Sequence, residues 1–302
     1  MTRKLPTVSI VIPAYNESES IERCLMTCIN QTRRAHEIIV VNNLSTDNTA
    51  AIVRRLQKEY KDKATIRLFN QDKAQGITPT RNLGFDKATG EILGRIDADS
   101  IIDEAWVREV QGIFTDREVM AASGPVVYHD MPARRFGAKA DDQIRNTLDR
   151  LARDHKFLFG SNMAMRASAW HEIKDEVCLD EEDLMHEDMD LAMHLFQRDM
   201  KIVYDRNMLG GMSARRLDDS PLKFYRYIMR YERTYKRHDI KSASARIPIF
   251  IYLSTYFPLK AIRLAYDNDE NKISLSLFRS RLAEARANDA EAKEAEQQIL
   301  SK

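Results

Sequence analysis

Asp97-Ala98-Asp99 follows the apolar run Ile92-Leu93-Gly94-Arg95-Ile96. Two carboxylates one residue apart, at the end of a buried strand, converge on one small volume. Mg²⁺ and Mn²⁺ prefer oxygen ligands and bridge carboxylates to phosphates. The triplet therefore suits a divalent ion that stabilises charge on a departing diphosphate. Asp-x-Asp also occurs in ordinary solvated turns, and its place at a strand end is what raises it above that reading. Much later comes His186-Glu187-Asp188-Met189-Asp190-Leu191. Acids at a helix start are favoured by the macrodipole alone. The same placement lets one of them take the proton of an acceptor hydroxyl, a poor nucleophile at neutral pH. His186 beside them reads as structural ahead of ligating.

The surrounding pattern shows what must hold these residues. Val8 to Ile12, ending at Pro13, reads as a buried strand, and Ile21, Leu25, Cys28 and Ile29 recur at helical spacing. Glu37 to Val41 is a second strand. A polar loop follows, in which Thr46 or Asp47 caps a helix carrying Ile52, Val53 and Leu56. Thr65 to Phe69 is a third strand, a helix starts near Pro79, and Glu91 to Ile96 is the fourth strand. This alternation predicts an α/β fold with a mostly parallel central sheet flanked by helices. Ligands bind outside the carboxyl ends of such strands, where Pro13 to Glu17, Asn42 to Asp47 and Asp97 to Asp99 all fall.

Past Trp106 the spacing predicts a helix over 103–115, a strand near 120–127, and a polar stretch from His129 to Lys156. Phe157 to Met165 reads as extended, 187–198 as a helix, and Lys201 to Tyr204 as a short strand. From Pro221 the chain is helical, and Tyr225, Tyr227, Tyr231 and Tyr235 alternate with Lys223, Arg226, Arg230 and Arg233. That mixture is either an amphipathic packing face or a binding surface for a membrane. Residues 279–302 read as a solvated helix. Trp106 and Trp170 are core residues by default.

Composition narrows the classes. The 47 basic and 46 acidic residues leave a net charge of +1, against bulk nucleic-acid binding. The three cysteines are odd in number, and Cys24 and Cys28 share a helix face, as buried thiols in a reducing compartment do. The N-terminal residues lack the apolar stretch of a signal peptide. Ile247 to Leu259 is too short and too interrupted to span a bilayer. The location expected is cytoplasmic, with peripheral contact at the inner membrane face through 223–262 as the further option.

Several segments together resemble family 2 glycosyltransferases. They are Val8-Ser9-Ile10-Val11-Ile12-Pro13-Ala14-Tyr15-Asn16-Glu17, Glu37 to Thr49, Gly76 to Gly84 with Arg81-Asn82 inside, and Asp97-Ala98-Asp99. Gly160-Ser161-Asn162 resembles the family's acceptor-side loop, and Glu187-Asp188 its "ED" pair. The motifs occur in family order over roughly residues 7–216. The resemblance implies a GT-A fold over 1–218, with a nucleotide-sugar half (about 1–105), an acceptor half (about 106–218) and a helical C-terminal extension over 219–302. It implies that Pro13, Ala14, Tyr15, Glu17, Asn42, Asn43, Asp97 and Ala98 line the nucleotide-sugar pocket. Arg81 would approach the base or the diphosphate. Asp99, with Asp97, would hold Mg²⁺ or Mn²⁺. Asp188 would be the catalytic base, Glu187 would shape the acceptor pocket, and Gly160, Ser161 and Asn162 would meet the acceptor.

The activity implied is inverting, metal-dependent transfer of a hexose from a UDP- or GDP-sugar. The acceptor would be a surface glycan or glycolipid hydroxyl, or a polyprenyl phosphate. This sequence departs from the family at Asn42 and Asn43, where aspartate is usual, and it lacks the Gln-x-x-Arg-Trp motif of processive synthases. Ser213-Ala214-Arg215-Arg216 resembles a segment of some non-processive members, and Arg215 and Arg216 would face a diphosphate. The alternative is a non-catalytic nucleotide-sugar-binding or scaffold protein on the same fold. A dinucleotide oxidoreductase would need a glycine-rich turn where Pro13-Ala14-Tyr15-Asn16-Glu17 stands.

Overall fold

VSIVIPA, residues Val8–Ala14, is buried along its whole length. A strand covered on both faces is free to be continuously apolar. The computed structural model describes residues 4–285 and 287, apart from 153, 154, 181 and 242. Its first half alternates β1 (Val8–Ala14), α1 (Ile21–Ile29), β2 (Glu37–Asn42), α2 (Thr49–Glu59), β3 (Ile66–Asn70), α3 (Ile77–Lys87) and β4 (Ile92–Ile96). There follow α4 (Trp106–Ile113), β5 (Val119–Ser123), β6 (Val126–Tyr128), α5 (Arg134–Leu151), β7 (Asn162–Arg166), α6 (Ala167–Ile173) and α7 (Glu187–Gln197). The last elements that bear on the site are β8 (Lys201–Tyr204), β9 (Gly210–Met212), α8 (Pro221–Arg237) and α9 (Ile247–Ala265).

The main sheet has the order β3-β2-β1-β4-β7-β5-β8. Its pairings are parallel except at β7, which runs antiparallel to both β4 and β5. Ile96 therefore pairs with Asn162, so the start of β7 lies beside the end of β4. One face of the sheet packs Ile10 and Ile12 against α1, α2 and α4. The other packs Val11, Ile39 and Leu93 against Phe85 of α3, Trp170 of α6 and Leu191 of α7.

The expected mostly parallel sheet flanked by helices is present, with Trp106 and Trp170 buried in its cores and Cys24 and Cys28 buried on one face of α1. Three details differ from the sequence reading. Most of the polar stretch 129–156 is the helix α5, whose buried residues are only Arg145 and Leu148. The strand expected over 120–127 is split at Gly124-Pro125 into β5 and β6, and β6 pairs with β9 in a separate ladder. The stretch 157–165 becomes a strand only at Asn162. Before that, Phe157 and Phe159 pack with Met189 and Met193 of α7 and Tyr231 and Tyr235 of α8. The basic-aromatic helix is thus amphipathic, with its inner tyrosines in a core. Part of the stretch 279–302, residues 286 and 288–302, lies outside the described residues. Among the described residues no helix is long and apolar enough to cross a membrane.

At the amino end of the sheet, Glu37 ties three strands together. Its carboxylate accepts from Ser9 Oγ (2.8 Å) and from the Thr89 backbone N–H (2.6 Å), and it pairs with Arg67. Burial pushes this carboxyl up, but the bonds from Arg67, Thr89 and Ser9 outweigh it and hold the group at about 2, below 4.5. A depressed folded value gives stability that is present above pH ~4.5 and lost as pH falls through about 2. Glu37→Gln should cost up to roughly 3 kcal/mol at pH 7 and flatten stability between those two values. Denaturant melts across pH check this. An unchanged pH profile in the variant would refute the assignment.

Candidate active site

Arg95 is one of the inward residues of β4, 5% exposed next to the end of an apolar strand. Its Nη2 lies 2.7 Å from Asp97 Oδ1 and 3.3 Å from Glu187 Oε1. One buried guanidinium thus joins the carboxylates after β4 to the acids that open α7. Gly160 makes room for it: a Cβ there would sit 1.7 Å from Arg95 Nη1 and 3.2 Å from Asp188 Cβ. The Gly160 N–H also donates to Asp188 Oδ2 at 2.7 Å, and Met189 N–H donates to Asp188 Oδ1 at 2.8 Å. Both oxygens of Asp188 are therefore oriented by backbone. Burial pushes the Glu187 carboxyl up, and the nearby Arg95 pulls it back.

The loop entering α7 is held from α8. Arg230 forms a two-pronged pair with Asp183, Arg233 Nε donates to the Leu184 carbonyl at 2.7 Å, and His186 N–H donates to Thr234 Oγ1 at 3.0 Å. The His186 ring packs against Tyr227 and Tyr231 at 4.9 and 4.1 Å. Burial drives its pKa down to about 3, so it is neutral at pH 7. This matches the structural reading of that histidine.

On the opposite wall, Pro13 and Ala14 are buried at the end of β1 while Tyr15 turns out to solvent, 48% exposed. Glu17 meets Arg215, whose Nη2 and Nη1 reach its two oxygens at 2.6 and 3.0 Å, and Arg215 Nε lies 3.1 Å from Asp99 Oδ2. Arg215 therefore faces the carboxylates after β4. Arg216 diverges and lies over the Tyr227 ring at 4.5 Å. Asn42 donates to Asn70 at 3.3 Å and leaves its Oδ1 buried without a hydrogen-bond partner.

Four expected site residues have inward roles in this structure. Asn43 donates to the carbonyls of Gln71 and Ala74 and accepts from Gly76 N–H, fixing the loop before α3. Arg81 is buried, not aimed into the cleft: Nη1 donates to the Glu187 carbonyl at 2.9 Å, and its other nitrogens bond Asn82. Asn162 is fully buried and bonds Trp106, Pro125 and Met208, so it anchors β7 and has no free group for an acceptor. Ala98 is buried in the sheet core, and Ser161 remains partly open. Arg95 was passed over in the sequence. Its signal was the lone charge inside ILGRI.

Asp97 and Asp99 fit a hard divalent cation. Burial and the adjoining Asp97 push the Asp99 carboxyl up to about 7, with Arg215 opposing. An all-oxygen pair is the donor set such ions take, and here Arg95 and Arg215 stand beside its two carboxylates. Among the described residues, Asp190, His194 and His238 form another group close enough to share an ion. His238 Nε2 lies 2.8 Å from Asp190 Oδ1. Asp190 is two residues beyond Asp188, hence on another side of the helix, and this group ties α7 to the end of α8.

A family model described as Glycosyl transferase family 2 matches residues 9–173, more than half of the chain. Among curated proteins, Glycosyltransferase AglE from Haloferax volcanii is 36% identical over 156 residues, 50% of this chain and 50% of that protein. The uncharacterized glycosyltransferase YibD of Escherichia coli is 37% identical over 108 residues, 36% of this chain and 29% of that one. The chain thus spans half of the first relative's length and less of the second's. Among solved structures, the mannosyltransferase PcManGT from Pyrobaculum calidifontis, in complex with GDP-Man and Mn²⁺, gives a TM-score of 0.61 at 20% identity, covering 99% of this chain and 81% of that one. Glucosyl-3-phosphoglycerate synthase from Mycobacterium tuberculosis, with Mn²⁺, UDP and glucosyl-3-phosphoglycerate, gives 0.53 at 16%, covering 79% and 82%. At these identities the likeness is one of fold.

Breaking a buried ion pair from one side costs about 3–5 kcal/mol, and Arg95→Met should do so. Gly160→Ala, which forces the guanidinium aside, should cost about 1–3 kcal/mol. In the double variant the two losses should fall short of their sum, because both act on one contact. Additive losses in denaturant melts would show that Gly160 does not govern where Arg95 sits.

Proposed function

The chain belongs to glycosyl transferase family 2, and on that premise we propose that it moves a hexose from a UDP- or GDP-sugar to an acceptor hydroxyl or polyprenyl phosphate. The reading includes inversion at the anomeric carbon, help from Mg²⁺ or Mn²⁺, and a place in cell-envelope glycan or glycolipid synthesis. The observation that carries it is the Asp97–Arg95–Glu187 chain, which sets carboxylates suited to a metal beside a helix-start Glu-Asp pair. GDP-Man with Mn²⁺, and UDP with Mn²⁺, in two proteins of the same fold support it.

On the donor side, the unpartnered Asn42 Oδ1 accepts an N–H from the nucleobase, which uracil and guanine both offer. Pro13, Ala14 and Tyr15 form the adjoining wall. Arg215, half exposed, turns its fork from Glu17 to the diphosphate. Asp99 and Asp97 hold the metal, which supplies Lewis-acid stabilisation of the departing diphosphate. On the acceptor side, Asp188 takes the hydroxyl proton, kept in position by the N–H groups of Gly160 and Met189. Glu187 shapes that pocket from beneath. A single displacement from the face opposite the leaving group gives inversion. The free thiols Cys24 and Cys28 suit a cytoplasmic setting. In the extension 219–302, α9 turns Phe250 and Phe257 to solvent, a surface suited to peripheral membrane contact.

The test is release of nucleotide from a panel of UDP-, GDP- and dTDP-sugars with Mn²⁺ or Mg²⁺. One donor should be hydrolysed in a metal-dependent way, and both EDTA and Asp99→Ala should abolish it. Asp188→Asn should lower transfer by roughly 10²–10⁴-fold while leaving the donor KM within a few-fold. No nucleotide binding by calorimetry would overturn the enzyme reading in favour of the scaffold. Near wild-type transfer by Asp188→Asn would remove Asp188 as the base.

Asn42→Leu should weaken nucleotide binding by roughly 5–150-fold through the lost acceptor. Unchanged affinity would place the base elsewhere.

A further inference from the structure

Beside the loop that enters α7 lies a cleft of about 510 Å³, walled by α8 and by Arg216, Asp219, Asp183 and Leu184. Its charge is one-sided. Arg216, Lys223, Arg226, Arg230 and Arg233 line it against two carboxylates, Asp183 and Asp219. Four of the cations recur along α8 at spacings of three and four, so they share one helix face. Like charges at that spacing destabilise a helix by a few tenths of a kcal/mol per pair.

The cations divide by what they touch. Arg230 and Arg233 are committed to Asp183 and the Leu184 carbonyl. Arg216 lies on Tyr227 and reaches Asp219 at 3.4 Å. Lys223 and Arg226 are exposed, and among the described residues neither has an acidic partner. Tyr227 lines the same cleft, and its ring meets His186, the residue before Glu187. A ligand in the cleft therefore sits against the loop that leads into α7, whose first residues are Glu187 and Asp188.

From this placement we infer that the cleft is an anion subsite that holds a phosphate group of the acceptor, while the acceptor's hydroxyl reaches Asp188. Arg forks match phosphate oxygens in pairs, and Lys223 adds a point charge. The volume exceeds a phosphate alone and admits the group that bears it. This inference rests on the transferase reading for the identity of the ligand as acceptor.

The experiment is calorimetric titration of the full chain, with and without UDP or GDP and Mn²⁺, using glycerol phosphate, geranyl phosphate and geraniol. Lys223→Gln/Arg226→Gln spares Arg230 and Arg233, which pin the loop, so the variant should fold. Its nucleotide binding, measured in parallel, reports on the donor half. The expected result is that a phosphate-bearing probe binds and geraniol alone does not, with binding weakened roughly 10–100-fold in the variant. Binding of both phosphates would mark the phosphate alone as sufficient, and binding of geranyl phosphate only would mark a lipid-linked source. Absence of phosphate binding in either condition, or affinity equal in variant and wild type, overturns the subsite. Loss of nucleotide binding alone would instead strike at the transferase reading, since the nucleotide-free titration still decides the subsite.

Discussion

A guanidinium removed from water must be surrounded by acceptors or it destabilises the fold by several kcal/mol. Arg95 sits one residue from the end of β4, and this requirement dictates what stands around it. Asp97 comes from the same strand end, and Glu187 from a helix far along the chain. The closeness of the two also requires a residue without a side chain at Gly160. Once these are met, Asp188 is within reach of the Gly160 N–H and its orientation is set. The cleft carboxylates are therefore positioned by a charge that does not itself face the cleft.

Sheet topology brings the parts to one edge. The parallel strands β1, β2 and β4 end at Ala14, Asn42 and Ile96, beside Tyr15 to Glu17, Asn43 and Asp97 to Asp99. The antiparallel β7 begins there, which delivers 160–162 to the same place. The helices that follow complete the site from outside the sheet. Asp190, two residues past Asp188, binds His238 at the end of α8, and Thr234 and Arg233 hold the backbone just before Glu187. The extension past residue 218 is bound into the geometry of the acids as well as into the core shared by Met189, Met193, Tyr231 and Tyr235.

Much of this was legible in the sequence, and the misses have physical causes. The strands β1, β2 and β4 are covered on both faces, so their apolar runs are unambiguous, and Asp97 and Asp99 can be placed at a strand end. The helix α5 was not legible because it buries only Arg145 and Leu148. Its remaining polarity looks like a loop. β6 and β9 are three residues each, too short to show a period. The motif residues can be read from the sequence, but motifs do not state direction. Asn43, Arg81 and Asn162 satisfy buried backbone groups, and that accounting exists only once the chain is folded. Arg95 was visible as a charge out of place, and its partners were too distant in the chain to name.

The anchoring of the α7 entry by α8 also has a meaning for synthesis. Translation proceeds from the amino end at about 5–20 residues per second. The sheet strands β1 to β8 are complete by Tyr204, but Arg230, Arg233, Thr234 and His238 have yet to be made. A ribosome-bound chain at that stage has the strand ends of the sheet and lacks both Arg215 and the struts that align Glu187 and Asp188. Alignment of the two acids is therefore delayed until the segment through His238 has emerged from the exit tunnel and docked.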